Sequence, residues 1–150
     1  MSEPVAIEFP VMAYAKAFLA GFLSTLVFHQ GVLALLHGLR MTPRNPWVMT
    51  PTPPMGVPAV LSLAFWGGVW GIALWLMIRG AAGSKYWLLA VVLGAILPTL
   101  VAFFVVFPMK GLPIGGGWKP DLIVGALLLN GAWGFGVALF MRFLLRAPAR

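Results

Sequence analysis

The chain of 150 residues contains no cysteine and little charge. Without cysteine, the sequence offers no disulfide, no thiolate nucleophile and no cysteine ligand for a metal. Charged residues make up only 9% of the chain and hydrophobic residues 61%, whereas soluble domains carry roughly 25% charged residues. This composition excludes an ordinary soluble domain and predicts a protein whose partner is the lipid bilayer.

Acidic residues are scarcer than basic ones, three against ten, which gives a formal net charge of +7. The basic residues stand at the ends of apolar stretches and form no stripe with aromatics, so nucleic acid is not a predicted partner. Residues 1–10 contain Glu3 and Glu8 but no Lys or Arg. We therefore expect the first apolar stretch to remain as a transmembrane helix and not to be a cleaved secretory signal.

Four apolar stretches are long enough to span a bilayer, which takes about 20 residues. They cover approximately Ala17–Leu39, Pro58–Ile78, Tyr86–Phe107 and Asp121–Leu145. Their length and their lack of strict alternation favour helices over strands. The sequence therefore predicts an all-α membrane protein of four transmembrane helices in a single membrane domain, with a kink at Pro98 in the third helix.

An internal repeat relates the two halves of the chain. Residues 67–71 read Gly-Gly-Val-Trp-Gly and residues 130–134 read Asn-Gly-Ala-Trp-Gly, and an arginine follows each copy eight residues later, Arg79 and Arg142. A weaker match relates residues 23–27 to residues 97–101. We predict two tandem hairpins, repeat 1 at about 11–79 and repeat 2 at about 85–145, inserted in the same orientation as parallel repeats. Chance similarity between apolar segments is the alternative.

The distribution of basic residues predicts that both termini are cytoplasmic. The side that holds the termini and the second loop carries six basic residues: Lys16, Arg79, Lys85, Arg142, Arg146 and Arg150. The opposite side carries four: Arg40, Arg44, Lys110 and Lys119. The two loops on that opposite side, residues 43–58 and 108–120, are rich in proline, and each contains one tryptophan, Trp47 or Trp118. These loops are expected to lie on the headgroup layer or to contact a partner.

Polar and tryptophan side chains recur near the middle of the predicted spans, where an unpaired polar group is costly. We predict that seven residues form a midplane cluster: His29, Gln30, Trp66, Trp70, Thr99, Asn130 and Trp133. The cluster is either structural, contributing on the order of 1 kcal/mol per interhelical hydrogen bond, or a binding site at the repeat interface. The spans contain no carboxylate except Asp121 at a boundary, so ion coupling has little support.

No metal site or catalytic constellation is predicted. His29 and His37, the two histidines of the chain, are separated by about 12 Å of helical rise, too far to share one metal ion. Ligation of a haem or chlorin by His29 alone remains open. The hydroxyl residues of the spans have no acid to orient a histidine base, and residues 115–117 lack the context of a phosphate loop. We expect no enzyme and no resident cofactor.

Small residues at four-residue spacing predict where helix backbones approach closely. The glycines expected to pack helices together are Gly21, Gly67, Gly71, Gly94, Gly131 and Gly134. Trp66 and Trp70 are also four residues apart and share one face of the second helix. That face is predicted to pack across the bundle or against a second subunit.

Residues 28–31, Phe-His-Gln-Gly, and residues 62–71, which include Trp66 and Trp70, carry a family resemblance. Together they resemble uncharacterised small multi-pass bacterial inner-membrane proteins. The resemblance implies a location in the bacterial plasma membrane and no particular activity.

The leading functional hypothesis is a non-enzymatic membrane protein that packs with itself or with a larger membrane complex. It is motivated by the small-residue faces and by the tryptophans of the second helix. The alternative is a protein that binds or transports a small apolar molecule through the midplane cluster.

Overall fold

The computed structural model of the chain describes residues 10–146, and this part is almost entirely helical. Four long helices follow one another: α1 (Val11–Gly38), α2 (Ala59–Ile78), α3 (Gly83–Met109) and α4 (Pro120–Arg146). All four are long and apolar enough to cross a membrane. The prediction of an all-α protein with four such helices is confirmed. The predictions that concern Glu3, Glu8 and Arg150 fall outside the described residues.

Some helix ends differ from their predicted positions. α1 begins before the predicted Ala17, because Lys16 marks the end of the apolar stretch but does not interrupt a helix. α3 begins at Gly83 and not at Tyr86. Pro58 precedes α2 in an extended conformation, with φ −52° and ψ 137°, and Pro120 is the first residue of α4, one residue before the predicted Asp121. Asp121 follows in the first turn of α4, where the helix dipole favours a negative charge.

Two helices contain a π-helical turn, Thr25–His29 in α1 and Ala102–Val106 in α3. In α3 the turn follows Pro98, which has no N–H to donate to the preceding turn. The Ala102 N–H meets the carbonyls of both Pro98 and Thr99. The helix thus continues past the proline with a local change of hydrogen bonding at the place where the sequence predicts a kink.

Helices α1 and α2 form one hairpin, and α3 and α4 form the other. Both hairpins close through glycines. A Cβ atom added at Gly71 would lie 2.8 Å from the Cα of Gly21, and one added at Gly94 would lie 2.7 Å from the Cα of Gly134. Because real Cβ atoms do not approach so closely, these helix pairs pack backbone against backbone.

The predicted packing glycines all lie within these two hairpins. Gly67 faces Thr25 and the Gly21 carbonyl of α1. Gly131 faces Ala95 of α3 more loosely, with 3.5 Å between its added Cβ and the Ala95 Cβ. The small-residue faces are therefore used for contacts inside the chain.

The hairpins meet mainly through α1 and α4, while α2 and α3 lie at the periphery. Ser24 contacts Trp133, and the Phe28 ring lies 5.7 Å and 5.8 Å from the rings of Phe135 and Phe140. The predicted parallel insertion of the two hairpins stays a prediction.

The largest buried cluster joins α1, α2, α3 and α4 around small and aliphatic side chains. Its fully buried centre includes Leu74, Ile78, Val137 and Met141, and the Trp133 ring closes one side. Buried apolar side chains of this kind pack by dispersion. The cluster fixes α4 against the first hairpin.

The first connecting loop folds back against the helices that it joins. It contains a short antiparallel pair of strands, β1 (Pro51–Thr52) and β2 (Val57–Pro58). The N–H groups of Ala59 and Val60 donate to the carbonyls of Thr50 and Val48. These bonds satisfy donors at the start of α2 that have no partner inside the helix.

Equivalent contacts occur in the two hairpins. Gly71 packs on the Ala17 carbonyl, and Gly134 packs on the Ala90 carbonyl. Gly71 and Gly134 are 63 positions apart, as in the stronger sequence match, and Ala17 and Ala90 are 73 apart, one fewer than the 74 that separate residues 23–27 from residues 97–101. This agreement supports the predicted duplication, which remains a prediction.

Candidate functional site

The seven residues of the predicted midplane cluster do not form one cluster. They separate into a group around Trp133, a pair formed by Thr99 and Asn130, and a pair formed by His29 and Gln30. Trp66 and Trp70 belong to none of these groups. Residues at one predicted depth can face different directions around their helices, and this is why depth alone did not identify neighbours.

The first group fastens α4 to α1. Trp133 is only 3% exposed, and its Nε1–H donates to the Gly21 carbonyl at 3.1 Å. The Ser24 hydroxyl donates to the Trp133 carbonyl at 2.6 Å. Thr25 donates its hydroxyl to the same Gly21 carbonyl at 3.0 Å. Ser24, which was not predicted as a site residue, is fully buried, and its only sequence signal is a hydroxyl in an apolar stretch.

The second group joins the helices of the second hairpin. The Asn130 amide Nδ2 donates to the Thr99 hydroxyl at 2.8 Å, and Thr99 is buried. This bond satisfies two polar side chains inside apolar helices, and it crosses from α4 to α3.

The third group lies at the end of the π turn of α1. Gln30 is buried, and its Oε1 accepts a hydrogen bond from the backbone N–H of Trp47 at 2.7 Å. The Gln30 Nε2 lies 3.3 Å from the Nδ1 of His29. The Trp47 indole Nε1–H donates to the Leu26 carbonyl at 2.9 Å. The first loop is thus held against α1, and its predicted position on the headgroup layer or against a partner stays a prediction.

Trp47 and Trp118 occupy equivalent places after the first helix of each hairpin. Both adopt the left-handed backbone conformation that is uncommon outside glycine, with φ 47° and 57°. Each contacts the π turn of the preceding helix, Trp47 at Leu26 and Trp118 at Phe104, whose ring centroid is 5.9 Å away. In both hairpins the loop is anchored at an interruption of regular helix geometry, a common place for functional sites.

Trp66 and Trp70 lie on the same side of α2 but differ in burial. Trp70 packs partly against the central buried cluster, while Trp66 is 59% exposed. Among residues 10–146 neither indole N–H has a hydrogen-bond partner, in contrast to Trp47 and Trp133. We call these two side chains the aromatic edge of α2.

Cations at the other end of the helices lie over aromatic rings. The Arg79 guanidinium is 5.6 Å from the Trp75 ring centroid, and the Arg142 guanidinium is 5.8 and 5.6 Å from those of Tyr86 and Trp87. Cation–π contacts of this kind allow a charged head to remain at an apolar surface. They anchor helix ends and offer no reactive group.

The part of the chain that the structure describes contains no cluster of three or more His, Cys, Asp and Glu side chains able to hold a metal ion. His37 is separate from His29 and lines an open cavity of about 550 Å³ with Arg40 and Thr42 at the end of α1. The Nδ1 of His37 is buried without a partner among these residues.

No protein-family model, curated protein or solved structure matches the chain. A function therefore has to be argued from the geometry described above.

Proposed function

We propose that the chain is a non-enzymatic integral membrane protein that packs with itself or serves as an accessory subunit of a larger membrane complex. The aromatic edge of α2, Trp66 and Trp70, is the proposed contact. Its proposed location is the bacterial inner membrane with both termini in the cytoplasm, on the grounds of the basic-residue distribution and the family resemblance.

The position of Trp66 carries this proposal. The residue lies in the interior of an apolar helix, where an indole N–H has no acceptor in lipid tails. Tryptophan is usually enriched at the interfaces of a membrane, where water or headgroups satisfy that group. An α-helix of a second subunit would provide both a packing surface for the ring and an acceptor for the N–H.

The arrangement of the helices also favours α2 as the contact. α2 packs principally on α1 and has few contacts with α3 and α4. The glycine faces that could mediate association are already occupied inside the two hairpins. The aromatic edge is the part of the predicted association surface that stays accessible.

Photo-crosslinking tests the proposal. A photoreactive phenylalanine analogue replaces Trp66 in one sample and Leu88 in the other, because Leu88 is 63% exposed on the peripheral helix α3. In native membranes, we expect a covalent adduct from position 66 and little from position 88. Mass spectrometry of the adduct distinguishes a second copy from another subunit.

The substitution Trp66→Leu tests the same contact between subunits by removing the tryptophan that is proposed to make it. It removes the N–H and most of the ring but keeps an apolar side chain, so the isolated fold should be retained. We expect a smaller fraction of associated protein after mild solubilisation, with unchanged helix content by circular dichroism. Equal adduct yields at positions 66 and 88, or unchanged association of the variant, would contradict the proposal.

A further inference from the structure

The hydrogen bonds of Gln30 determine its orientation. The backbone N–H of Trp47 can only donate, so the atom that it meets at 2.7 Å must be the amide oxygen of Gln30. The amide nitrogen of Gln30 consequently faces His29. An amide orientation that is ambiguous in isolation is thereby fixed by the backbone of the loop.

The orientation of Gln30 in turn determines which nitrogen of the His29 ring carries the proton. The Gln30 amide nitrogen is a donor only, so the His29 Nδ1, 3.3 Å away, must accept. A neutral imidazole that accepts at Nδ1 carries its proton on Nε2. The Nε2 of His29 has no hydrogen-bond partner among residues 10–146 and is not one of their buried unpaired atoms. His29 therefore presents an accessible N–H donor.

The length of α1 gives an expected depth for this donor in a membrane. With about 1.5 Å of rise per residue, the 28 residues of α1 span about 42 Å, and the hydrocarbon core is about 30 Å thick. His29 precedes Gly38 by nine residues, or about 13 Å. If α1 is centred, the ring lies about 7 Å inside the hydrocarbon boundary. In that placement the ring lies deeper than the phospholipid ester carbonyls at the boundary.

The positions of the second hairpin that correspond to this polar pair are apolar. At the separation of 74 positions that aligns Thr25 with Thr99, His29 and Gln30 correspond to Phe103 and Phe104, and at the separation of 77 that aligns the two π turns they correspond to Val106 and Phe107. Phe104 contacts Trp118 in that hairpin, so an aromatic contact alone anchors the second loop. Gln30 has a structural partner in the first loop, whereas the described residues leave the Nε2 of His29 unused, and such a polar group inside a membrane indicates a functional role.

We propose that His29 binds the carbonyl oxygen of a membrane-soluble molecule, such as a quinone, by donating a hydrogen bond from Nε2. Nε2 would have to be unprotonated to ligate a metal, whereas the hydrogen bond from Gln30 to Nδ1 keeps the proton of the ring on Nε2. The arrangement therefore disfavours the haem or chlorin ligation that the sequence left open. The site lies on α1 and goes beyond the association proposed for α2.

Binding of decylubiquinone to the whole chain tests the site. The protein is reconstituted in nanodiscs of dialkyl-ether phosphatidylcholine, which contain no competing ester carbonyl. His29→Phe keeps an aromatic ring of similar size and removes the donor, and His37→Phe is the matched control. We expect about fivefold to tenfold weaker binding for His29→Phe, the effect of one neutral hydrogen bond, and no change for His37→Phe.

A second experiment, in ester lipid, shows whether the bound carbonyl oxygen belongs to a membrane-soluble molecule or to the phospholipid. In nanodiscs of ester phosphatidylcholine, decylubiquinone should bind with the same affinity, because the lipid esters lie too far out to compete. Markedly weaker binding in ester lipid would assign the acceptor to the lipid and overturn the assignment to a membrane-soluble molecule. Equal affinity of the unmodified chain and His29→Phe would also overturn it.

Nitrogen NMR tests the proton position without any ligand. The chain has only two histidines, so ¹⁵N-histidine labelling gives two sets of ring signals, and His37→Phe assigns them. We expect His29 to carry its proton on Nε2, and Gln30→Leu to allow the other tautomer as well. A proton on Nδ1 in the unmodified chain would overturn the proposal even if the variants failed to bind for other reasons.

Discussion

At the scale of single residues, the polar side chains of the spans show two kinds of use. Ser24, Thr99, Asn130 and Trp133 have their partners on another helix of the same chain. His29 and Trp66 each keep a donor that no other described residue uses. Because unpaired donors are costly in lipid, this difference separates structural residues from candidates for function.

The Trp133 indole should contribute measurably to stability. Trp133→Phe retains an aromatic ring and removes the donor to Gly21, whose carbonyl still accepts from Thr25. We expect a decrease of about 1–2 kcal/mol in the free energy of unfolding. Steric trapping in bicelles provides the measurement. Trp66→Phe is the control, because it makes the same change at an exposed side chain, and an equal effect of the two substitutions would contradict the structural role.

The hydrogen bond between Asn130 and Thr99 should appear as a coupling energy. A double-mutant cycle combines Asn130→Leu with Thr99→Val, and the same unfolding assay measures all four proteins. Bonds of this kind in membrane proteins contribute about 0.6 kcal/mol on average. We expect a coupling of that size, and strict additivity of the two substitutions would show that the bond is absent in the bilayer.

At the scale of helices, the sequence predicted the elements well and their mutual contacts only in part. Long apolar stretches identified four helices because the bilayer imposes both length and hydrophobicity. The π turns were not predicted, since the one in α3 depends on the hydrogen bonds that Pro98 redistributes. The midplane cluster was predicted from depth, but its members face different helices. The contacts of Trp47 with α1 depend on a loop conformation that composition does not specify.

Close packing of the hairpins should make Gly94 sensitive to a single methyl group. In Gly94→Ala, the new Cβ would lie 2.7 Å from the Gly134 Cα, so the two backbones must separate. We expect a loss of about 1–3 kcal/mol in unfolding free energy. Gly125→Ala is the matched control on α4, with nothing within 4 Å of its added Cβ. It should be neutral or slightly stabilising, because alanine is the better helix former. Equal tolerance of both substitutions would contradict the close contact.

At the scale of the whole molecule, two similar hairpins have different chemistry. Their glycine contacts and their left-handed tryptophans recur, yet the residues of the second hairpin that correspond to His29 and Gln30 are apolar. Packing is thus common to both halves, whereas the proposed carbonyl site belongs to the first half. If the halves arose by duplication, one hairpin kept or gained a polar site while the other retained only the scaffold.

The orientation of the two hairpins in the membrane can be measured directly, because the chain has no cysteine of its own. Single cysteines replace Met55 in the first loop, Ala82 between the hairpins and Leu112 in the third loop, and a membrane-impermeant maleimide labels intact spheroplasts. Parallel insertion with cytoplasmic termini predicts labelling at Met55 and Leu112, and labelling at Ala82 only after permeabilisation. Labelling of Met55 and Leu112 from opposite sides would show that α2 or α3, the two helices between these positions, does not cross the membrane, and it would overturn the parallel repeat.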